Sequence, residues 1–438
     1  MSEQGTIKRP GGYVASLDGY RALGTFIVLM HHVPFIFFRT PFAYGWWVLQ
    51  SFFVISGYLL TRILIKEKEK GYPFFKYFKV FFMKRFYRIF PLYWTFLLVF
   101  GLMLLVFGIT NIPLFSDLMR EYKQNWFFLW TYTYNYKELI NILQGNNGNL
   151  SPFFSHLWSL SVEEQFYILL PIMVFFTSNK GLKRLILAII ILSPLVRLAT
   201  YFYYDHLSMT AAYLPLFKGD DILRESWVTV IILRTTWCQL DCLAFGMALA
   251  VWGFDWIKSP RKVFFWAFAF FVAVVTVNGI IYAQKMDLQA LLANPMFSYK
   301  KVVEMFPEWF AKFYIAVSDH HSLVTNHQYA YIFTVVNSLS FLIVLSCIRD
   351  QPIFNFFRNE KVIYTGKITY GAYLFHYPLL MFLIIFLGFV FVKFDRKFGQ
   401  LGFEFSMMLV YLPLLWVLSH WSYKYFEMYF MKLKDKVK

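Results

Sequence analysis

The sequence predicts an all-α protein, a polytopic membrane bundle of about ten transmembrane helices with both termini in the cytoplasm. Three observations lead there. Of the 438 residues, 59% are hydrophobic and only 15% are charged, too few charges to solvate the surface of a soluble chain this large. Apolar windows of about 20 residues, the length a hydrocarbon core demands, recur along the chain. Lys and Arg then collect in alternate loops, as the positive-inside rule requires when no span has been missed.

The windows fall near residues 21–38, 45–65, 89–109, 157–177, 184–204, 230–252, 263–283, 329–347, 368–391 and 401–421. The basic loops hold Lys8 and Arg9, the run from Arg62 to Arg88, Lys180 with Lys183 and Arg184, Lys258 with Arg261 and Lys262, Arg349 to Lys367, and the tail Lys432 to Lys438. Topology therefore accounts for most of the formal net charge of +17. Nucleic acid is not expected as a partner, and the lipid bilayer is. Cys238, Cys242 and Cys347 sit in apolar stretches without the spacing of a disulfide framework or a metal site. No repeat or low-complexity tract divides the chain, so one membrane domain is expected over 1–438, with its core at about 17–427. The aromatic run Trp126 to Tyr136 is too short to span and reads as interfacial or re-entrant. Asn149-Leu150-Ser151 matches a glycosylation acceptor on the outward face.

Ionisable groups at membrane depth are costly and mark function by default. His32 follows Arg21 by eleven positions, which returns to the same helical face after a rise of roughly 16 Å, whereas His31 is rotated by about 100°. The plain alternative is a snorkelling Arg and a hydrogen-bonded structural His. Arg85 and Arg88, three apart in "KRFYRIFPLY", share a helical face and can grip one polyanion through their planar forks. The lysines before them, interleaved with Phe, read as an interfacial segment held by anionic lipid.

In "HLWSLSVEEQFYILLP" a spacing of seven puts His156 and Glu163 on one face about 10 Å apart, with Glu163 the deeper and level with His32. Glu164 points about 100° elsewhere, so at most one of the two carboxylates is expected to face the cavity directly. Either could instead only neutralise a basic neighbour. Trp158 and Tyr167 flank the carboxylates. His376, two residues before Pro378, reads equally as a packing group or a cavity group at the depth of His32. Asp241 is expected to pair with Arg234 or Arg197.

Taken in order, "LDGYRALGTFIVLMHH", "SFFVISGYLL", "MKRFYRIFPLY", "LWSLSVEEQFYILLP", "LDCLAFGMALA" and "ITYGAYLFHYPLL" resemble the integral-membrane acyltransferase-3 family over nearly the whole chain. The resemblance implies transfer of an acyl group, acetyl by default, from cytoplasmic acyl-coenzyme A to a hydroxyl acceptor. That acceptor is a carbohydrate or lipid-linked group of the cell envelope, and the protein would lie in the bacterial cytoplasmic (inner) membrane. No permanently bound cofactor is implied; acyl-coenzyme A is a co-substrate. Arg21 and His32 match the family's Arg-x10-His residues, Arg85 and Arg88 its Arg-x-x-Arg pair, and Ser56, Gly57 and Tyr58 its Ser-Gly-aromatic element. Glu163, with Glu164 beside it, matches the fourth-span Glu. The pattern departs at Gln239, where an Arg is expected, and at Met428, where Pro would follow Glu427.

The residues fit that chemistry. Arg21, Arg85 and Arg88 suit the phosphates of coenzyme A, and a neutral His32 can take the proton of the attacking hydroxyl. Glu163 is expected to orient that imidazole, as the third member of a hydrolase relay does. A transporter or flippase of an anionic lipid or small molecule would also place ionisable groups at mid-depth. The repeated halves and matching broken helices common in transporters are not found in the sequence.

Overall fold

The computed structural model describes residues 14–33, 45–108, 113–143, 153–210, 228, 231–289, 303–304, 306–318, 329–349 and 352–437. Among them the chain is helical, without strands. Lys8, Arg9, residues 34–38 and the Asn149–Ser151 triplet lie outside the described residues. The helices are α1 (Ala15–His32), α2 (Trp46–Lys68), α3 (Phe74–Gly108), α4 (Pro113–Trp130), α5 (Tyr134–Leu143), α6 (Trp158–Phe176) and α7 (Asn179–Thr210). After them come α8 (Leu240–Trp252), α9 (Pro260–Lys285), α10 (Glu308–Ser318), α11 (Tyr329–Ile348), α12 (Glu360–Lys367), α13 (Thr369–Trp421) and α14 (Met428–Lys434). An all-helical build is what hydrocarbon demands, because a helix satisfies its own backbone N–H and C=O groups.

Among the described residues, seven helices are long and apolar enough to cross a membrane: Trp47–Lys68, Phe74–Phe107, Ser155–Phe176, Asn179–Tyr204, Pro260–Ile281, Tyr331–Ile348 and Gly402–Lys434. The other expected windows fall on α1, which carries Asp18 and Arg21, and on the shorter apolar helices Thr236–Trp252 and Thr369–Ile384.

Three details add to or differ from the sequence expectation. The Phe-rich basic run and the third window form one helix, α3, of 35 residues, roughly 52 Å long at the usual rise. The run Trp126–Tyr136 is a helix–turn–helix laid against α3. At its turn Tyr132 adopts a φ of 54° and stacks on Tyr93 with ring centroids 4.2 Å apart. Tyr93 in turn donates its hydroxyl to the Leu129 carbonyl at 2.9 Å. Finally, the ninth and tenth windows share the 53-residue α13, yet the Tyr411 hydroxyl reaches the His376 carbonyl at 3.3 Å. A straight helix would separate those residues by about 52 Å, so the two halves lie side by side. Leu380 packs there with Met407, Met408, Tyr411 and Leu415.

Two contacts fix the middle of the bundle. Gly57 of α2 and Gly246 of α8 cross back to back: a Cβ on Gly57 would strike the Leu243 carbonyl, and one on Gly246 the Val54 carbonyl. Small residues allow such close approach where no hydrophobic effect drives helices together. Farther along, Arg197 of α7 holds both carboxylate oxygens of Asp241 on α8 at 2.9 Å, with neither side chain exposed. Arg197 also donates to the Cys238 carbonyl at 2.9 Å and to the Thr334 hydroxyl of α11. Of the two partners expected for Asp241, the structure selects Arg197, and the pair ties three helices together.

Breaking a buried pair from one side strands the other charge and costs about 3–5 kcal/mol. Asp241→Ala should therefore lower the thermal melting point of the detergent-extracted protein sharply. Arg197→Leu combined with Asp241→Leu should recover most of the loss; a double variant as unstable as the single one would contradict this role.

Candidate functional site

The register of α1 against α2 sets the depth of everything in the site. Gly45, just before α2, lies against His31 and the Ile27 carbonyl, and Gly24 lies against Val48 and Phe52. The Tyr20 hydroxyl donates to Ser51 at 2.9 Å. The helices are thus antiparallel, and Ser56 stands eleven residues beyond Gly45, about 16 Å from the histidine end of α1 and level with Arg21.

A cavity of about 250 Å³ opens at that level. Arg21, Arg85, Arg88 and Lys367 give it four cationic groups, and Ser56, Glu163, Glu164 and Tyr167 give it its polar wall. Arg21 is braced by Asp18 at 3.3 Å. The backbone of Asp18 is itself pressed by Gly366, where a Cβ would collide with its carbonyl. Arg85 and Arg88 make no hydrogen bond or ion pair among the described residues, although the Nε of Arg85 is wholly buried. Two guanidinium forks therefore face the cavity unspent.

Glu163 accepts hydrogen bonds from Ser56 at 2.8 Å and from Tyr167 at 2.6 Å. Glu164 also lines the cavity, buried, with its Oε1 lacking a partner among the described residues. Both carboxylates face the cavity, against the expectation that at most one would do so. Glu163 also stands at the level of Arg21 rather than that of His32. The α6 path from His156 carries Glu163 past the histidine level, because seven residues advance it by about 10 Å.

A second polar layer lies around the end of α1. His32 Nδ1 is 3.0 Å from His376 Nε2, and the imidazole ring centroids are 4.9 Å apart. His376, fully buried, has its Nδ1 2.5 Å from the Tyr373 carbonyl. The side chain found on His32 Nδ1 is thus His376, while Glu163, expected there, is engaged by Ser56 and Tyr167.

His156 belongs to this layer as well. It sits on a 3-10 turn, Ser155–Leu157, before α6. Its ring lies 4.8 Å from that of His376 and stacks on Tyr377 at 5.7 Å. Pro378 has no N–H to offer the Leu374 carbonyl four residues back; His156 Nε2 meets that carbonyl at 3.3 Å.

Among the remaining expected residues, Trp158 lies under the Arg234 guanidinium, 5.9 Å from its ring centroid. Gly57 serves the helix crossing and Asp241 the ion pair. Sequence reading missed Tyr373, which joins the two layers. It lines the cavity, its hydroxyl donates to the His156 carbonyl at 2.9 Å and lies 2.6 Å from the Ser159 hydroxyl, and its carbonyl holds His376. It also missed Tyr370 and Lys367 in the cavity wall. The available signal was spacing, since Tyr370, Tyr373 and His376 recur every third residue along one helical face.

Fold and site define an integral membrane protein whose helix bundle encloses a cation-rich cavity and, beyond it, a layer of histidines. Comparison narrows the class: the family model described as "Acyltransferase domain" (Acyl_transf_3) matches residues 14–420, and the chain belongs to that acyltransferase family. Peptidoglycan O-acetyltransferase OatA of Listeria monocytogenes is 26% identical to it over 382 residues, covering 84% of this chain and 49% of that protein. O-acetyltransferase OatA of Staphylococcus aureus is 23% identical over 382 residues, covering 84% of this chain and 51% of that protein. The chain spans about half the length of these curated relatives. No solved structure matches it.

Ser56 and Tyr167 share one carboxylate oxygen, so their losses should not add. Ser56→Ala and Tyr167→Phe should each cost about 1–2 kcal/mol in thermal unfolding, and the double variant more than their sum. Strict additivity would show that Glu163 does not depend on the two donors.

Proposed function

We propose that the chain is a membrane O-acyltransferase that moves an acetyl group from cytoplasmic acetyl-coenzyme A to a hydroxyl of an envelope glycan or lipid-linked acceptor. In this reading all ten expected windows cross the bacterial cytoplasmic membrane, and both termini are cytoplasmic. The observation that carries it is the pair of unspent guanidinium groups, Arg85 and Arg88, in a cavity they share with Arg21. A polyanion is the ligand that two such unspent forks facing one cavity suit, and coenzyme A offers a pyrophosphate and a ribose phosphate. The O-acetyltransferase names of the relatives support acetyl as the group moved, and the Listeria relative's name supports an envelope glycan as acceptor.

With the phosphates on the arginines, the pantetheine arm is long enough to cover the roughly 16 Å of α1 that separates Arg21 from His32. It passes Tyr373 on the way. His32 then removes the proton of the acceptor hydroxyl while the oxygen attacks the thioester carbonyl. Collapse of the tetrahedral intermediate breaks the C–S bond, and the imidazolium returns its proton to the departing thiolate. Glu163, engaged by Ser56 and Tyr167 at the arginine level, is assigned to the donor side of the site. A transporter gains no support from any particular contact.

Membranes incubated with labelled acetyl-coenzyme A and candidate acceptors test the reading. His32→Ala should lower transfer by about 10²–10⁴-fold, the usual weight of a positioned general base. Arg85→Ala should mainly raise the KM for the donor, by about tenfold. Undiminished transfer by His32→Ala would remove His32 as the base, and donor-independent movement of a substrate would favour transport.

A further inference from the structure

We infer that His376 is a positioning residue that fixes the tautomer of His32 and thereby selects Nε2 as the atom that takes the acceptor's proton. The inference rests on His32 being the base and adds which nitrogen works and what holds it. The protons follow from the partners' chemistry. A carbonyl oxygen only accepts, so the proton between His376 Nδ1 and the Tyr373 carbonyl, 2.5 Å away, belongs to His376. In the neutral ring Nε2 is then bare. That bare nitrogen is 3.0 Å from His32 Nδ1, and a bond between them needs a donor, so His32 carries its proton on Nδ1. Its lone pair is left on Nε2. The neutral pair puts no net charge into a layer where His376 is fully buried.

The helix itself supplies the anchor. The Tyr373 carbonyl is three residues before His376 on α13, so the His376 tautomer is set by local backbone. His156 closes the other side of the ring, its centroid 4.8 Å away, and is itself held by the carbonyl that Pro378 leaves unpaired. The motif "YLFHYP" thus delivers an acceptor nitrogen to the end of α1. In hydrolytic triads a carboxylate performs this duty, and loss of the correct tautomer costs about 10⁴-fold in kcat without disturbing the geometry.

Two measurements decide it. In wild-type protein ¹⁵N-labelled at histidine and reconstituted in membranes, His32 should show a protonated Nδ1 and an unprotonated Nε2; a protonated Nε2 in the neutral ring would overturn the inference without any variant. His376→Phe removes the acceptor, and should lower kcat for acetyl transfer by about 10²–10⁴-fold while the donor KM stays within about threefold. His376→Gln, whose amide oxygen can accept from Nδ1, should recover at least about tenfold of that loss. A His376→Phe protein that binds coenzyme A normally and retains full kcat would refute the positioning role while leaving His32 as base. Full activity in His32→Ala would instead refute the base itself.

Discussion

Backbone polar groups inside this bundle have to find their partners within the protein, because hydrocarbon offers none. The helices meet most of that demand themselves, and certain side chains meet it where a helix cannot. Arg197 spends its fork on Asp241 and on the Cys238 carbonyl. His156 takes the carbonyl that Pro378 leaves open, and Gln165 donates to the Tyr132 carbonyl at 3.1 Å. Among the described residues the buried Nε of Arg85 and Oε1 of Glu164 lack a partner, as do polar atoms of Gln50 and Asn337 elsewhere in the bundle, and the exposed Arg88 makes no hydrogen bond or ion pair. What sets Arg85, Arg88 and Glu164 apart is that they share one cavity with Arg21 and Lys367, which is why the cavity reads as a ligand site and the Arg197 pair as structure.

The second constraint is depth. Close packing of Gly24 and Gly45 fixes how α2 runs beside α1, and this sorts the polar residues into an arginine level and a histidine level. The two are joined by Tyr373, whose ring faces the cavity while its carbonyl orders His376. In the proposed transfer, one aromatic residue therefore stands where a donor held at the first level would pass to be attacked at the second. That arrangement gives the proposed transfer a direction, from phosphates held near one end of the bundle to a thioester opened in its middle.

The helical class, the seven windows that fall on long apolar helices and the face shared by Arg85 with Arg88 were legible because they depend on local spacing. The partner of Asp241 was narrowed to two arginines by charge alone. What sequence could not supply was the relative depth of separate helices. Counting residues from opposite membrane faces puts Glu163 and His32 level, a method that fails when a 3-10 turn precedes α6 and the register of neighbours is unknown. The contact between His32 and His376 joins residues 344 apart in sequence. Likewise α3 absorbed a basic stretch that hydropathy alone separates from its span, because a helix does not end where its hydrophobicity does.

A structure of the membrane-embedded protein with a non-hydrolysable acetyl-coenzyme A analogue is the most direct test of this account. It should show the phosphates on Arg85 and Arg88, and the pantetheine running past Tyr373 to bring the thioester position within reach of His32 Nε2. An analogue seated away from the arginine cavity, or a thioester position directed away from the histidine layer, would contradict it.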